Sequence, residues 1–188
     1  MKPKVDRRIL KTRALLLNSL LKLLDTKPFR DITIKDLTNL ADVAKPTFYR
    51  NYSSVQDILL NELDYRAEGY MDEISEVIDS CKYFNEITFI LFSRFNDNGE
   101  LFLAMYKAEM DNYIIDRYIQ YTTQMMEIVN KNHDQAPDLA RIFYFAGGTH
   151  CLFKHWLLAG RPRDIMEMSD ILANDLYPLV KDKTITIK

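Results

Sequence analysis

The stretch of sequence that decides the fold is residues 32–52, ITIKDLTNLADVAKPTFYRNY. It predicts two short helices that meet at a tight turn at Asp42-Val43. Thr33 and Asp36 stand three residues apart at the start of the first helix, which is a variant of the capping-box pattern. The apolar residues of this helix recur at the spacing of a face that packs on a core: Ile34, Leu37 and Leu40.

The second helix of the segment, predicted over residues 45–51, separates apolar from polar side chains. Phe48 and Tyr52, four residues apart, are predicted to share the buried face and to anchor the helix. Pro46 falls in the first turn, where a missing backbone N–H costs little. The side away from the apolar residues carries Lys45, Pro46, Thr47, Tyr49, Arg50 and Asn51. A short helix with donors outward and aromatic residues inward suits a DNA groove.

Composition and charge limit the class of protein. The chain has 188 residues and is 47% apolar and 28% charged, which suits a folded globular protein and argues against a membrane protein or disorder. No run approaches the roughly 18 apolar residues of a membrane helix, and no signal-peptide pattern is present, so we predict a cytoplasmic protein. Residues 1–53 carry 12 Lys and Arg against 5 Asp and Glu, a net +7, whereas residues 54–188 carry 13 against 22, a net −9. Only the N-terminal part is suited to a polyanion, although many basic surfaces are simply solvated.

The rest of the chain predicts helices almost throughout. Proline and glycine are scarce, at 6 and 5 residues, and the apolar period is helical, so we predict an all-α protein. The first helix, at 7–24, has a predicted inner stripe of Ile9, Leu10, Leu16, Leu17, Leu20, Leu21 and Leu24. Ser53 and Ser54 are predicted to cap a fourth helix that continues unbroken to residue 78. Further helices are predicted at 85–95, 100–106, 111–132, 137–159 and 165–180.

The pattern Thr33-x-x-Asp36-Leu37-x-x-x-Ala41-x-Val43-x-x-x-Thr47-Phe48-Tyr49-x-x-Tyr52 resembles the N-terminal domain of TetR-type transcriptional regulators. The resemblance covers about residues 8–66. It implies a homodimeric, all-helical repressor or activator that binds a palindromic operator in double-stranded DNA, with two recognition helices in successive major grooves. It also implies a helix-turn-helix head at residues 1–53 and a larger regulatory and dimerisation domain at residues 54–188. A small-molecule effector in the larger domain would change the spacing of the heads, and no cofactor is implied.

The resemblance assigns DNA contacts to residues in and before the second helix of the segment. Bases are read where Lys45 and Pro46 stand, phosphates and flanking bases are held where Thr47, Tyr49 and Asn51 stand, and the backbone or groove edge is touched where Thr33 and Lys35 stand. Lysine and proline suit guanine acceptors and a thymine methyl, and hydroxyl and amide donors suit phosphates. The alternatives are a solvated charge at Lys45 and Arg50 and a packing role for Tyr49.

Three positions depart from the family pattern. Asp42 stands where glycine is usual, and Asp tolerates a positive φ better than most residues. Ala44 stands where Ser or Thr is common, so the second helix loses a cap worth about 1 kcal/mol. Val55 stands where a lysine is common, and Arg50 is expected to replace its phosphate contact.

The second half contains two groups of residues that suit the regulatory part of such a protein. Its dense aromatic and methionine side chains suit either an apolar effector pocket or an ordinary core; the candidate pocket residues are Phe92, Phe95, Met105, Tyr106, Tyr118, Met125, Phe145 and Thr149. One helix, predicted at 137–159, is apolar on two sides and is expected to pack on its own core and on a second subunit. Together with the last helix, predicted at 165–180, it is expected to form a four-helix interface between two copies. The candidate interface residues on the helix at 137–159 are Phe143, Gly147, Cys151, Lys154 and Leu158, with a second stripe at Phe145, Thr149, Leu152 and Trp156.

No catalytic or metal-binding motif is found. His133, His150 and His155 have no partner at a metal-site spacing, and Cys81 and Cys151 are expected to be free, buried thiols. We therefore expect a DNA-binding regulator that is not an enzyme, and a repressor released by a small molecule. An activator or a co-regulator with a protein partner, and a helical adaptor without specific DNA binding, remain alternatives.

Overall fold

The computed structural model of the protein describes residues 7–80, 84–129 and 138–180. Its helices are α1 (Arg7–Leu24), α2 (Ile34–Ala41), α3 (Lys45–Asn51), α4 (Gln56–Ala67), α5 (Tyr70–Ser80), α6 (Phe84–Asp97), α7 (Gly99–Lys107), α8 (Asp111–Val129), α9 (Leu139–Leu158) and α10 (Ile165–Val180), with a 3-10 turn at Phe29–Asp31. The described ranges contain no β-strand, so the predicted all-α class is confirmed. Cys81 and His133 lie outside the described residues.

The chain divides into two compact units. The first, here called the head unit, comprises Met1–Arg66 and Leu101–Met110, and the second, the body unit, comprises Ala67–Glu100 and Asp111–Lys188. The predicted head at residues 1–53 falls entirely within the head unit. The functional division at residue 53 stays a prediction.

The core of the head unit is built around α2, which packs against α1 and α3. Its most deeply buried side chains include Leu16, Leu20, Leu37, Phe48, Ile58 and Leu59. Two parts of the predicted apolar stripes are wrong. Ile9 and Leu10 are 40% and 38% exposed, and the buried residues of α1 begin at Leu16. Leu40 is 50% exposed, since the buried face of α2 runs through Leu37 and Ala41.

The predicted unbroken fourth helix is wrong. The helix ends at Ala67, and α5 begins at Tyr70 after a turn at Glu68-Gly69. Gly69 has a φ of +82°, a left-handed conformation that glycine adopts without steric penalty. A glycine that follows a helix in this conformation is a standard C-terminal stop signal. The apolar period continues across the break, and for that reason periodicity alone did not indicate it.

The body unit consists of helices packed in pairs. Here α6 lies against α10, α8 lies against α9, and α5 contacts both α6 and α8. Two buried hydroxyls join the first pair, with Thr88 Oγ1 and Ser169 Oγ 2.9 Å apart. The helix bounds predicted from the sequence for this part agree with the structure to within a few residues wherever they can be compared.

The turn at Gly69 can be tested by substitution. A Cβ added there would meet no atom within 4 Å, so the cost of Gly69→Ala is conformational and not steric. We expect Gly69→Ala to lower the free energy of unfolding by about 1 kcal/mol and Gly69→Asn by less, because Asn tolerates the left-handed region better. Urea unfolding followed by the fluorescence of Trp156, the single tryptophan, measures both values. Equal stability of wild type and Gly69→Ala would contradict this account of the break.

Candidate nucleic-acid interface

The turn between α2 and α3 is closed by backbone hydrogen bonds. Asp42 has φ 51° and ψ 48°, a left-handed conformation, as expected where Asp replaces glycine. The Val43 N–H donates to Thr38 O at 3.0 Å, and the Asp42 N–H donates to Asn39 O at 3.4 Å. This pair of bonds is the Schellman pattern of a helix end. It satisfies carbonyls at the end of α2 and fixes the direction in which α3 leaves.

The start of α2 has the predicted capping box. Thr33 Oγ1 accepts a hydrogen bond from the Asp36 N–H at 3.1 Å, and Asp36 Oδ2 accepts from the Thr33 N–H at 3.0 Å. The same carboxylate oxygen accepts from Lys27 Nζ at 2.6 Å and from the Thr33 hydroxyl at 2.7 Å. The Lys27 ammonium, followed by the Thr33 groups, holds the pKa of Asp36 well below its usual range. The hydroxyl of Thr33 is therefore already used as both donor and acceptor.

The start of α3 lacks a side-chain cap, as the alanine at position 44 predicts. Ala44 provides only its carbonyl, which accepts from the N–H groups of Thr47 at 2.8 Å and Phe48 at 3.1 Å. Pro46 lies in the first turn, where its lack of an N–H removes one donor that the helix could not pair internally. The N-terminal end of α3 is accordingly left without a side-chain acceptor from its cap residue.

Two aromatic residues hold α3 on the head unit, as predicted. Phe48 is fully buried and Tyr52 is 5% exposed, with ring centroids 5.9 Å apart. The Phe48 ring also meets Tyr49 edge to face, at 5.5 Å and 87°. Burial raises the pKa of Tyr52, and the positive charge of Arg13 opposes the rise. Tyr52, which directly follows α3, is thus influenced electrostatically by a cation of α1.

The opposite side of α3 is open to solvent. Tyr49 is 59% exposed, and Lys45, Pro46 and Arg50 are exposed. Within the part of the chain that the structure describes, no carboxylate pairs with Lys45 or Arg50. The described residues of the head unit therefore leave the cations on this surface without a neutralising carboxylate.

The remaining predicted contact residues differ in exposure and in whether their hydrogen-bonding groups are already used. Lys35 is exposed near the start of α2, and Thr47 is half-buried. Asn51 is half-buried too, and its Nδ2 donates to Thr47 O at 2.8 Å, so one of its donors is used inside the helix. The surface as a whole offers an ammonium, a guanidinium and hydroxyl groups over the length of a seven-residue helix. Such groups bind phosphates and the acceptors of base edges.

The candidate pocket residues divide between the two units. Met105 and Tyr106 belong to the head unit, and the other six belong to the body unit. Phe92, Phe95, Met125, Phe145 and Thr149 are buried, whereas Tyr118 and Tyr106 are half-buried.

Part of this set forms one aromatic cluster in the body unit, centred on a residue the sequence did not single out. Phe153 lies 4.2 Å from Phe92, 4.3 Å from Phe95 and 5.7 Å from Tyr118 between ring centroids. Trp156 joins at 5.8 Å from Phe92 and donates its Nε1–H to Arg163 O at 2.9 Å. The helical spacing 149, 153, 156 on α9 was the available signal for Phe153. The effector role of these residues stays a prediction.

A polar group adjoins this cluster. His150 is 6% exposed, and its ring centroid lies 5.8 Å from that of Tyr118. Its Nε2 lies 3.8 Å from Asp111 Oδ1, which also pairs with the Lys154 ammonium. Burial lowers the pKa of His150, and the Asp111 charge opposes this. Lys154, predicted at an interface, therefore has an ion-pair partner on α8.

The outer face of α9 is apolar and exposed. Phe143 is 56% and Leu158 57% exposed, Cys151 is an exposed free thiol, and Gly147 is half-buried. The expectation that Cys151 is buried is wrong, because it lies on this outer stripe. The second predicted stripe, Phe145, Thr149 and Trp156 with the half-buried Leu152, faces the core of the body unit. Two further residues of the same helix, Leu139 and Tyr144, are exposed and were not among the predicted interface residues.

The comparisons with known proteins concern the fold. No protein-family model and no curated protein matches the chain. A solved TetR-family transcriptional regulator from Syntrophomonas wolfei is 18% identical, with a TM-score of 0.64 over 92% of this chain and 96% of that one. The chain has the fold of TetR-type regulators.

Two further solved structures share this fold. The fatty acid degradation regulator FadR from Bacillus halodurans is 13% identical, with a TM-score of 0.61 over 97% of this chain and 98% of that one. The dihydroxyacetone kinase operon activator DhaS is 13% identical, with a TM-score of 0.58 over 90% and 96%. The resemblance identified in the helix-turn-helix segment is confirmed at the level of the fold, over nearly the whole chain.

Two kinds of feature are absent from the described residues. No helix there is long and apolar enough to cross a membrane. No group of three or more His, Cys, Asp or Glu side chains in the same ranges is arranged to hold a metal ion.

The capping box predicts a difference between two substitutions of one residue. Thr33→Ala removes the acceptor for the Asp36 N–H, and we expect it to cost about 1 kcal/mol of head-unit stability. Thr33→Ser keeps the hydroxyl and should retain most of that stability. Thermal unfolding by circular dichroism, together with amide exchange at Asp36, measures the loss. Unchanged exchange at Asp36 in Thr33→Ala would refute the assigned cap.

Proposed function

We propose that the protein is a sequence-specific DNA-binding transcriptional regulator that inserts α3 into the major groove. The observation that carries this proposal is the two-sided character of α3. Its inner side is anchored by Phe48 and Tyr52, and its outer side exposes Lys45, Tyr49 and Arg50. Among the described residues, no carboxylate pairs with either of the two cations. The fold supports the same function, because the solved proteins that share it are named as a TetR-family transcriptional regulator, an operon activator and a regulator of fatty acid degradation.

The residues of the surface take distinct roles in this proposal. Lys45 donates to guanine O6 or N7, and Pro46 contacts a thymine methyl. The side chains of Thr47, Tyr49 and Arg50 hold phosphates, which fix the register without reading sequence. Asn51 contacts DNA through the oxygen or the second N–H of its side-chain amide, because the first N–H is used within α3.

Lys35 and Thr33, near the start of α2, serve DNA binding in different ways. Lys35 is exposed and suits a backbone phosphate. Thr33 serves DNA binding as the cap that positions α2, since both hydrogen-bonding capacities of its hydroxyl are engaged with Asp36.

We further propose that the active form is a homodimer joined through the outer face of α9. This face exposes Leu139, Phe143, Tyr144 and Leu158, each more than half exposed. A Cβ added at Gly147 or Gly148 would meet nothing within 4 Å in the subunit, so its own packing does not require glycine there. Two glycines in a helix cost about 1 kcal/mol each relative to alanine, which a close approach by a second helix would explain. A dimer presents two copies of α3, which must stand about 34 Å apart to enter successive grooves.

The regulatory input in this proposal is a small apolar molecule bound among the aromatic residues of the body unit. The effector would favour a dimer in which the two heads no longer match the operator, which makes the protein a repressor released by its ligand. The fourth helix, which the sequence predicted to continue unbroken to residue 78, ends at Ala67.

An activator is the second candidate, and one comparison favours it. The structurally similar DhaS is named as an operon activator. In that case the body unit would bind a protein partner in place of the small molecule. A reporter gene is placed behind the operator sequence that selection from random duplexes recovers, and its expression is measured with and without this protein. A repressor lowers the expression and an activator raises it.

The DNA-binding proposal is tested by selecting binding sites from random duplexes and measuring affinity for the recovered sequence. We expect Lys45→Ala to lose about 1–3 kcal/mol of discrimination at one base pair. Arg50→Ala should weaken binding to all sequences and reduce the slope of log K against log salt by about 1 per head. Arg163→Ala, an exposed cation of the body unit, is the matched control and should change neither quantity.

Two results would count against the proposal. Recovery of no consensus from the random duplexes favours a helical adaptor without specific DNA binding. A consensus that Lys45→Ala reads as well as wild type would remove Lys45 from base recognition and leave the rest of the surface in place.

The dimer is tested by placing a charge on the outer face of α9. Phe143→Glu should shift the protein from dimer to monomer in analytical ultracentrifugation, because an unpaired carboxylate is costly in an apolar interface. Tyr65→Glu is a control at similar exposure, 54% against 56%, on α4. A wild-type monomer at micromolar concentration, or a Phe143→Glu variant that remains dimeric, would show that α9 is not the interface.

A further inference from the structure

The body unit buries two threonine side chains that differ in hydrogen bonding. Thr88 on α6 is fully buried, and its Oγ1 lies 2.9 Å from Ser169 Oγ and donates to Asn85 O at 3.1 Å. Thr149 on α9 is 2% exposed, yet its Oγ1 has no hydrogen-bond partner among the described residues. A buried hydroxyl without a partner lowers stability, and a valine of the same shape would avoid that loss. A bound molecule that supplies the missing partner would explain the threonine.

Thr149 lies on the buried face of α9, next to the aromatic cluster of the body unit. It stands one helical turn, about 6 Å along the axis, from Phe145 on one side and from Phe153 on the other. Both phenylalanines are buried, and Phe153 contacts rings of α6 and α8 at the centre of the cluster. The hydroxyl of Thr149 is therefore a polar group between two buried aromatic side chains of one helix face.

The buried polar groups of the body unit limit the charge that a bound molecule can carry. Among the described residues these groups are the hydroxyls of Thr88, Thr122, Thr149 and Ser169 and the imidazole of His150. No Asp, Glu, Lys or Arg side chain in the described part of this unit is buried. Burial lowers the pKa of His150, so its ring is mostly uncharged at pH 7. A charged molecule would thus meet no buried counter-charge, and its transfer from water would be strongly unfavourable.

We propose that the effector of the body unit is a neutral, mainly apolar molecule with one uncharged oxygen group, a hydroxyl or a carbonyl, and that Thr149 is its hydrogen-bond partner. The hydroxyl of a threonine can donate to either group. The aromatic side chains around Phe153 pack on the apolar part of the molecule. This inference rests on the proposed small-molecule input and adds to it the charge of the ligand and the residue that recognises it.

The two threonines provide a matched test of stability in the absence of any ligand. Thr149→Val keeps the shape of the side chain and removes a hydroxyl without a partner, so we expect the melting temperature to rise by about 2–4 °C. Thr88→Val removes a hydroxyl that is bonded to two groups, and it should lower the melting temperature by at least as much. Thermal unfolding by circular dichroism measures both. An unchanged or lower melting temperature for Thr149→Val would show that its hydroxyl is already satisfied and would overturn the proposal.

The class of ligand is tested with three probes that share an alkyl chain and differ in the charge of the head group: 1-octanol, octanoate and octylammonium. Binding to the protein without DNA is followed by the fluorescence of Trp156, whose ring lies 5.8 Å from that of Phe92 in the cluster. We expect the wild-type protein to bind 1-octanol at least tenfold more tightly than either ion.

The threonine variants then test the hydrogen bond itself. Thr149→Val should bind 1-octanol about three- to tenfold more weakly than the wild-type protein, because one hydrogen bond to the ligand is lost. Thr149→Ser keeps the hydroxyl and should retain the wild-type affinity. Thr88→Val is the control, and it should also bind 1-octanol as the wild-type protein does, because its hydroxyl is used within the body unit.

The outcomes separate this inference from the proposed function. Tighter binding of octanoate or octylammonium than of 1-octanol, or equal affinity of wild type and Thr149→Val for 1-octanol, would overturn the inference alone. It would also be overturned if none of the three probes binds, while a consensus recovered from random duplexes would leave the DNA-binding proposal in place. Binding of 1-octanol as expected, with no change in affinity for the operator, would support the site and contradict its regulatory role.

Discussion

The burial of Phe48 is the interaction on which the candidate interface depends. A helix of seven residues is too short to be stable by itself in water, and the cap residue of α3 is an alanine that contributes no side-chain hydrogen bond. Burial of one large aromatic side chain contributes about 2–3 kcal/mol, and Phe48 and Tyr52 together supply two such contacts from one face. Because those two side chains fix the rotation of α3, Tyr49 and Arg50, which stand between them, point to solvent. The chemistry of the exposed face is thus set by what is buried behind it.

The acidic residues of the helix-turn-helix segment have structural uses that leave its outer face positive. Residues 32–52 contain two carboxylates, Asp36 and Asp42. The first is held by Lys27 and the capping box, and the second forms the left-handed turn. In this segment the acidic residues shape the backbone and the basic residues face solvent.

The features that could be predicted from the sequence are those with local causes. The capping box at Thr33 and the left-handed Asp42 follow from residues within a few positions, and both occur as expected. The exposure of Leu40 could not be predicted, because an amphipathic pattern identifies a face and not how much of it neighbouring helices cover. The central place of Phe153 depends on three helices that meet in the body unit, and spacing along one helix does not report that meeting. The stop at Gly69 was readable in principle and was hidden by an apolar period that continues past it.

The adjacent glycines of α9 bear on whether the proposed dimer forms only between identical subunits. Alanine at Gly147 or Gly148 would meet no obstruction inside the subunit, and it would favour the helix. Selection for the stability of a single subunit would therefore replace them, whereas selection for backbone contact between two identical helices would keep them. In the proposed dimer, a related regulator with larger side chains at these positions would not allow the same close approach of the two helices. The glycine pair would then act as a filter against mixed assemblies, and each regulator would remain confined to its own set of genes.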